Sequence, residues 1–300
     1  MKRCALLTIV VMALPAIRSS AAPPASAPGE GWRTDDTGRT LIVPMANAPY
    51  PHDSRKDGFK GRDRTFPREP HYVDNSVGLF IPAGYKPGET VDLLFYFHGH
   101  MNNIRGAFET FKLREQIARS GKNVIAVFPE GPKDAADSGC GKLEEKDGLR
   151  RLADEVLGRL AADGEIRSRK LGRVLLAGHS GAYRVISFCV LQGGLEEHIS
   201  DVCLLDASYG QLDPFVDWAA RRSNGRLFSI FTDHLAGENV YLMTRLRERG
   251  IPYELAAEQN ATPDLVRASR VLFLFAEKLN HNETVGWLQR WLAATSLDAR

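Results

Sequence analysis

Cysteine is scarce in this chain of 300 residues, with four in all, and one of them, Cys4, lies ahead of an N-terminal apolar run. The other three, Cys140, Cys189 and Cys203, admit at most one disulfide and leave a thiol over, which excludes a scaffold held together by bridges. Long hydrophobic runs are scarce too. The stretch from Ala5 to Ile17 is too short for a comfortable membrane span and is broken by Pro15. Preceded by Lys2-Arg3 and followed by Ser19-Ser20-Ala21-Ala22, it reads as a secretory signal over residues 1–22, cleaved after Ala21 or Ala22, rather than as an anchor. The expected mature protein is secreted or periplasmic, with no transmembrane anchor. An excess of one charge is also missing: Lys and Arg number 39 against 37 Asp and Glu, a net charge of +2. Lys2, Arg3 and Arg18 belong to the leader, and their removal takes the mature chain to about −1. No basic run and no patch of basic and aromatic residues stands out, which argues against nucleic acid as a partner. Internal repeats are absent as well.

What is present begins with a Pro/Ala/Ser/Gly stretch over residues 23–31, expected to be a flexible linker. Residues 32–75 are rich in proline, glycine and charge with little periodicity apart from Thr40-Leu-Ile-Val43. They are expected to form an N-terminal extension that packs on the core of the domain over residues 76–300. From Val77 onward, apolar runs alternate with helical stretches. The runs are Val77 to Ile81, Val91 to Phe97, Asn123 to Phe128, Arg173 to Ala177, Asp201 to Leu205, Arg226 to Phe231 and Val271 to Phe275. Helical spacing covers Arg105 to Ser120, Leu143 to Ala162, Tyr183 to Gln192 and Asn239 to Arg249, while Tyr253 to Ala257 reads as either a further strand or an edge turn. This alternation predicts an α/β fold with a mostly parallel central sheet flanked by helices on both faces.

In such a sheet, reactive side chains gather where loops leave the carboxyl ends of the strands. Gly178-His179-Ser180-Gly181-Ala182 lies at one such end, and small residues at 178 and 182 suit a serine held in a tight strand-to-helix turn. The plain alternative is a serine capping the following helix. After Val91 to Phe97 comes His98-Gly99-His100-Met101, where the amide of His100 or Met101, together with that of Gly181, is placed to stabilise an oxyanion. His98 and His100 also read as metal ligands, with His52, His71 or Asp74 as a third, or as simple loop residues. His281 follows the last apolar run and precedes a helical pattern over Asn282 to Leu292, the place for a general base, which in turn needs a carboxylate. Asp206 follows Val202 to Leu205 directly and Asp233 follows Leu227 to Thr232; both fit, with a slight preference for Asp206. The loop from Phe128 to Glu144 is expected to rim the same crevice and to offer Glu130, Lys142 or Glu144 to a polar substrate.

Through Phe97-His98-Gly99, Gly178 to Ala182, Leu205-Asp206 and His281, about three quarters of the chain resembles the α/β-hydrolase superfamily, in particular its secreted bacterial esterase-like and depolymerase-like members. It departs from the usual Gly-x-Ser-x-Gly at Ala182. The resemblance implies a serine hydrolase that forms an acyl-enzyme on Ser180, with His281 as base, Asp206 or Asp233 as acid, no cofactor or metal, and a small-molecule or polymeric ester as substrate. A peptidase, amidase or acyltransferase on the same fold, or a non-catalytic ligand-binding member, are the competing readings.

Overall fold

The computed structural model describes residues 31–300, so the leader at 1–22 and all but the last residue of the linker 23–31 lie outside the described residues. A ten-stranded sheet runs through the molecule. Its order across the sheet is Arg33–Thr34, Gly38–Pro44, Ser76–Pro82, Ile125–Pro129, Val91–Phe97, Leu171–His179, Ile199–Leu205, Arg226–Phe231, Val271–Phe275 and Glu254–Ala257. The first three strands pair antiparallel with their neighbours. The other seven are parallel to one another. Tyr253 to Ala257 thus resolves as an edge strand over Glu254–Ala257.

Because side chains alternate across a strand, each buried strand feeds two cores. On one face Leu93, Phe95, Phe97, Val174 and Leu176 pack with the helices Gly148–Ala162, Tyr183–Gln192, Asp213–Arg221 and Ala236–Glu248. On the other, Leu94, Tyr96, Leu175 and Ala177 pack with Ile104–Phe111, Leu113–Arg119, Pro263–Ala268 and the C-terminal helix Trp287–Ala293. Among the described residues no helix is long and apolar enough to cross a membrane.

Residues 32–75 do more than cover the surface. Gly38–Pro44 pairs with Ser76–Pro82 and places Leu41 and Val43 in the main core, which is the period-2 pattern of Thr40 to Val43 at work. Tyr50, Phe66 and Tyr72 then close around Ala135 in a small core of their own. Arg55 clamps Asp137 of the same loop through Nε and Nη2, at 2.6 and 2.9 Å.

Two helices differ from the periodic reading. The stretch 105–120 is broken at Lys112, which has a left-handed φ of 51°. The break lets Phe111 turn toward His179, ring centroids 5.4 Å apart, while Leu113 is fully buried. Gln116 Nε2 satisfies the freed Phe111 carbonyl at 2.8 Å. The stretch 143–162 is likewise divided into a short turn over Gly141–Glu144 and the helix Gly148–Ala162, with Asp147 left-handed between them. Cys140, Cys189 and Cys203 are all free and buried.

Candidate active site

The strand order reverses at Val91–Phe97. The chain runs from there to Ile125–Pro129 on one side and returns to Leu171–His179 on the other. A crevice opens at the carboxyl ends of strands at such a switch point, and it is there that Ser180 sits. Its φ is 57°, a left-handed backbone that costs a residue with a side chain on the order of 1–3 kcal/mol and persists only when the surroundings impose it. The imposition is visible. A turn over Ser180–Ala182 runs without pause into the helix Tyr183–Gln192, and the loop after Val91–Phe97 presses on the serine, so that a Cβ on Gly99 would lie 2.7 Å from Ser180 Cβ. Of the seven described non-glycine residues with positive φ, three are Met101, Ser180 and Asp206; strain of this kind concentrates at functional loops.

Asp206 ends the strand Ile199–Leu205 with a φ of 48° and no exposed surface. Oδ1 accepts the Thr232 amide at 2.9 Å, and Oδ2 accepts the Thr232 hydroxyl at 2.9 Å and His281 Nδ1 at 2.7 Å. Burial pushes the carboxyl pKa up, but the hydrogen bonds from His281 and Thr232 outweigh it, and the group titrates below its ordinary value. It is therefore a carboxylate at neutral pH. Asp233, the other strand-end acid, is exposed at the head of a short turn; the acid bonded to His281 is Asp206.

His281 lies in the loop after Val271–Phe275, with about a third of its side chain exposed. Its carbonyl accepts the Thr284 hydroxyl at 2.7 Å and His179 Nε2 at 3.1 Å, and the His179 ring packs 4.4 Å from the His281 ring. Burial, then the nearby charge of His281, lowers the His179 pKa to about 3. His179 is thus a neutral donor that fixes the loop carrying His281. Among the described residues no hydrogen bond joins Ser180 to His281; the Ser180 hydroxyl meets that of Tyr209.

Of the residues after Val91–Phe97, the Met101 amide donates to the Ala135 carbonyl at 2.9 Å, so it is already engaged and is not available to an oxyanion. The His100 imidazole covers Gly181 and bonds Ser138 Oγ at 2.8 Å, and burial lowers its pKa. His98 points away, into the wall: Nδ1 is 2.8 Å from the Gly99 carbonyl and Nε2 is 2.9 Å from Glu130 Oε1. Burial disfavours its charged form, but Glu130 outweighs burial and raises its pKa.

His98 and His100 therefore do not converge on a common ligand. The residues considered as a third partner are occupied elsewhere, His52 beside Glu145, His71 on the Lys133 carbonyl and Asp74 on Lys133. Nor does the loop 128–144 offer free charges to the crevice. Glu130 binds His98, Lys142 donates to the Ala46 carbonyl and Glu144 pairs with Arg184. Asp206, His234 and His281 do bring ligand atoms within 4.8 Å of one another. Their spacing is already bridged by hydrogen bonds through His281 Nδ1 and Thr232, which a cation would have to displace.

Sequence reasoning did not single out Thr232, Tyr209, His234 or His179 as part of the site. Thr232 and His234 directly follow the strand Arg226–Phe231, Tyr209 lies three residues beyond Asp206, and His179 adjoins the serine. Position at a strand end was the available signal for all four.

No protein-family profile and no curated protein matches the chain. Solved structures do. A mutant of the feruloyl esterase module from Clostridium thermocellum, complexed with sinapinate, superposes with a TM-score of 0.53 at 14% identity, over 90% of this chain and 94% of that one. A structure named FAE gives 0.52 at 12% identity, over 87% of this chain and 89% of that one. At such identities the similarity is one of fold. Together with the parallel sheet, the helices on both faces and the strand-to-helix turn at Ser180, it shows that the chain has the α/β-hydrolase fold.

Proposed function

We propose that this chain is a serine hydrolase acting on carboxylic esters, with Ser180 as nucleophile, His281 as general base and acid, and Asp206 as the carboxylate that holds His281. The observation that carries the reading is the 2.7 Å hydrogen bond from His281 Nδ1 to the buried Asp206 carboxylate, beside a serine held in a left-handed turn at the switch point. That bond places the ring proton on Nδ1 and leaves the Nε2 lone pair to take a proton. Ser180 turns from Tyr209 toward Nε2 and attacks the ester carbonyl as His281 removes its proton. The oxyanion is held by the amides of Gly181 and His100, each worth about 3 kcal/mol of barrier. His281 then protonates the departing alcohol, leaving acyl-Ser180, and water repeats the sequence to release the acid.

A structural neighbour named as a feruloyl esterase module favours an ester over an amide. The leader read from residues 1–22 favours export, and the substrate is then an ester, small or polymeric, met outside the cytoplasm. Hydrolysis of p-nitrophenyl acetate tests the reading. The wild type is expected to turn over, and Ser180→Ala and His281→Ala are each expected to lower kcat by at least about 10⁴-fold. A Ser180→Ala variant as active as the wild type refutes it.

A further inference from the structure

Tyr209 and His234 stand against the Ser180, His281 and Asp206 side chains, yet the mechanism above gives them nothing to do. Tyr209 is 40% exposed, a large aromatic side chain at the mouth of the crevice. Its hydroxyl lies 2.7 Å from His234 Nε2, and His234 Nδ1 lies 2.7 Å from Thr232 Oγ1. Thr232 Oγ1 donates to Asp206 Oδ2, the same oxygen that accepts His281 Nδ1. The rings of Tyr209 and His281 are 6.2 Å apart, edge to face, and the Tyr209 hydroxyl faces that of Ser180. One chain of hydrogen bonds thus leaves the carboxylate that holds the base and ends on a phenol that faces the serine.

With His234 neutral, counting protons fixes the direction of every hydrogen bond from Asp206 to Tyr209. The Thr232 hydroxyl has one proton, and it goes to the carboxylate, so Thr232 can only accept from His234. Neutral His234 therefore carries its proton on Nδ1 and presents a lone pair at Nε2. Tyr209 must then donate to Nε2, which leaves its oxygen toward Ser180 as an acceptor only. Burial, then the Asp206 carboxylate, raises the Tyr209 pKa to about 12, so the phenol keeps the proton this arrangement requires.

We propose that Tyr209 is a catalytic residue of the deacylation step, accepting a hydrogen bond from one O–H of the attacking water while His281 Nε2 accepts the other, and that His234 is the positioning residue that makes Tyr209 an acceptor. The proposal rests on the acyl-Ser180 reading. In the free enzyme the Tyr209 lone pair faces the Ser180 hydroxyl. Acylation replaces the Ser180 proton with the acyl group, so the lone pair has no hydroxyl to accept from at the moment a water has to be bound. A water held through both protons has its own lone pair directed at the acyl carbon. Its oxygen then bonds to that carbon as the proton facing His281 moves to Nε2. The carbon–Oγ bond breaks, Ser180 recovers the proton from His281, and the second water proton departs on the carboxylic acid. In acylation Tyr209 has no such part, since it only competes with His281 for the serine proton.

Pre-steady-state hydrolysis of p-nitrophenyl acetate separates the two steps. For Tyr209→Phe, kcat is expected to fall about 10–100-fold and KM to fall with it, leaving kcat/KM equal to or above that of the wild type. A burst of nitrophenol close to one equivalent per enzyme should appear. His234→Leu should do the same, and His234→Gln, whose side-chain oxygen still accepts from Tyr209, should recover most of the lost kcat. Labelling of Tyr209→Phe by a fluorophosphonate at the wild-type rate or faster would show an intact fold and an intact acylation step. The inference is overturned if Tyr209→Phe leaves kcat unchanged, or if kcat/KM and the labelling rate fall along with kcat. A wild type that neither hydrolyses the ester nor takes the label removes the acyl-enzyme reading itself, and this inference with it.

Discussion

Gly178 and Ala182 share a space that holds one methyl group. A Cβ built on Gly178 would lie 2.6 Å from the Cβ of Ala182 and 2.9 Å from Cδ1 of Ile186, both well inside van der Waals contact. The alanine that departs from the usual glycine is thus accommodated because its opposite number has no side chain. Gly178→Ala is expected to destabilise the fold by about 1–3 kcal/mol through overpacking. Adding Ala182→Gly should return part of that loss, since the Ile186 contact remains. Urea denaturation of the two single variants and the double variant gives the coupling directly, and strictly additive effects would contradict the shared space.

The acid is the next relationship open to test. Asp206 is buried on His281 Nδ1 while Asp233 is exposed. Asp206→Asn removes the acceptor that fixes the imidazole proton, and is expected to lower kcat for an ester by about 10⁴-fold with little change in fold. Asp233→Asn should stay within about 3-fold of the wild type. Steady-state kinetics of the pair decides, and a reversed order transfers the role to Asp233.

His179 supplies a pH dependence of stability. Its folded pKa of about 3 lies below the ordinary 6.5, so below pH 6.5 the unfolded chain takes up a proton that the folded protein does not bind until about pH 3. Stability therefore falls as the pH drops through that window, by up to about 1.4 kcal/mol per pH unit from this residue. In His179→Gln, which retains a donor toward the His281 carbonyl, that part of the slope should vanish. Urea midpoints at pH 7, 5.5 and 4.5 for both proteins test this, and parallel slopes would contradict the assigned burial.

Much of this site is legible in the sequence because its parts end strands. Ser180, Asp206 and His281 each follow an aliphatic run, and a parallel sheet brings the ends of its strands together whatever the distance in sequence. The runs themselves were readable because strands buried on both faces are continuously apolar. What was not legible depends on side chains meeting across loops. Thr232 and His234 join Asp206 and Tyr209 only because their two strands are neighbours in register, and no local pattern records which of two strand-end acids turns inward. The break at Lys112 was hidden for a similar reason: apolar spacing runs through it, and only the burial of Leu113 beside Phe111 requires it. Met101 read as an oxyanion donor because the amide's own partner, the Ala135 carbonyl, comes from a distant loop.

The central claim is that Ser180 is a nucleophile activated by His281. A fluorophosphonate forms a covalent bond only with such a serine, and the adduct can be located by peptide mass spectrometry. The account predicts one equivalent of label on the wild type, carried on the peptide containing Ser180, with none on Ser180→Ala and strongly slowed labelling of His281→Ala. A folded wild type that takes no label, or label that persists in Ser180→Ala, would contradict it.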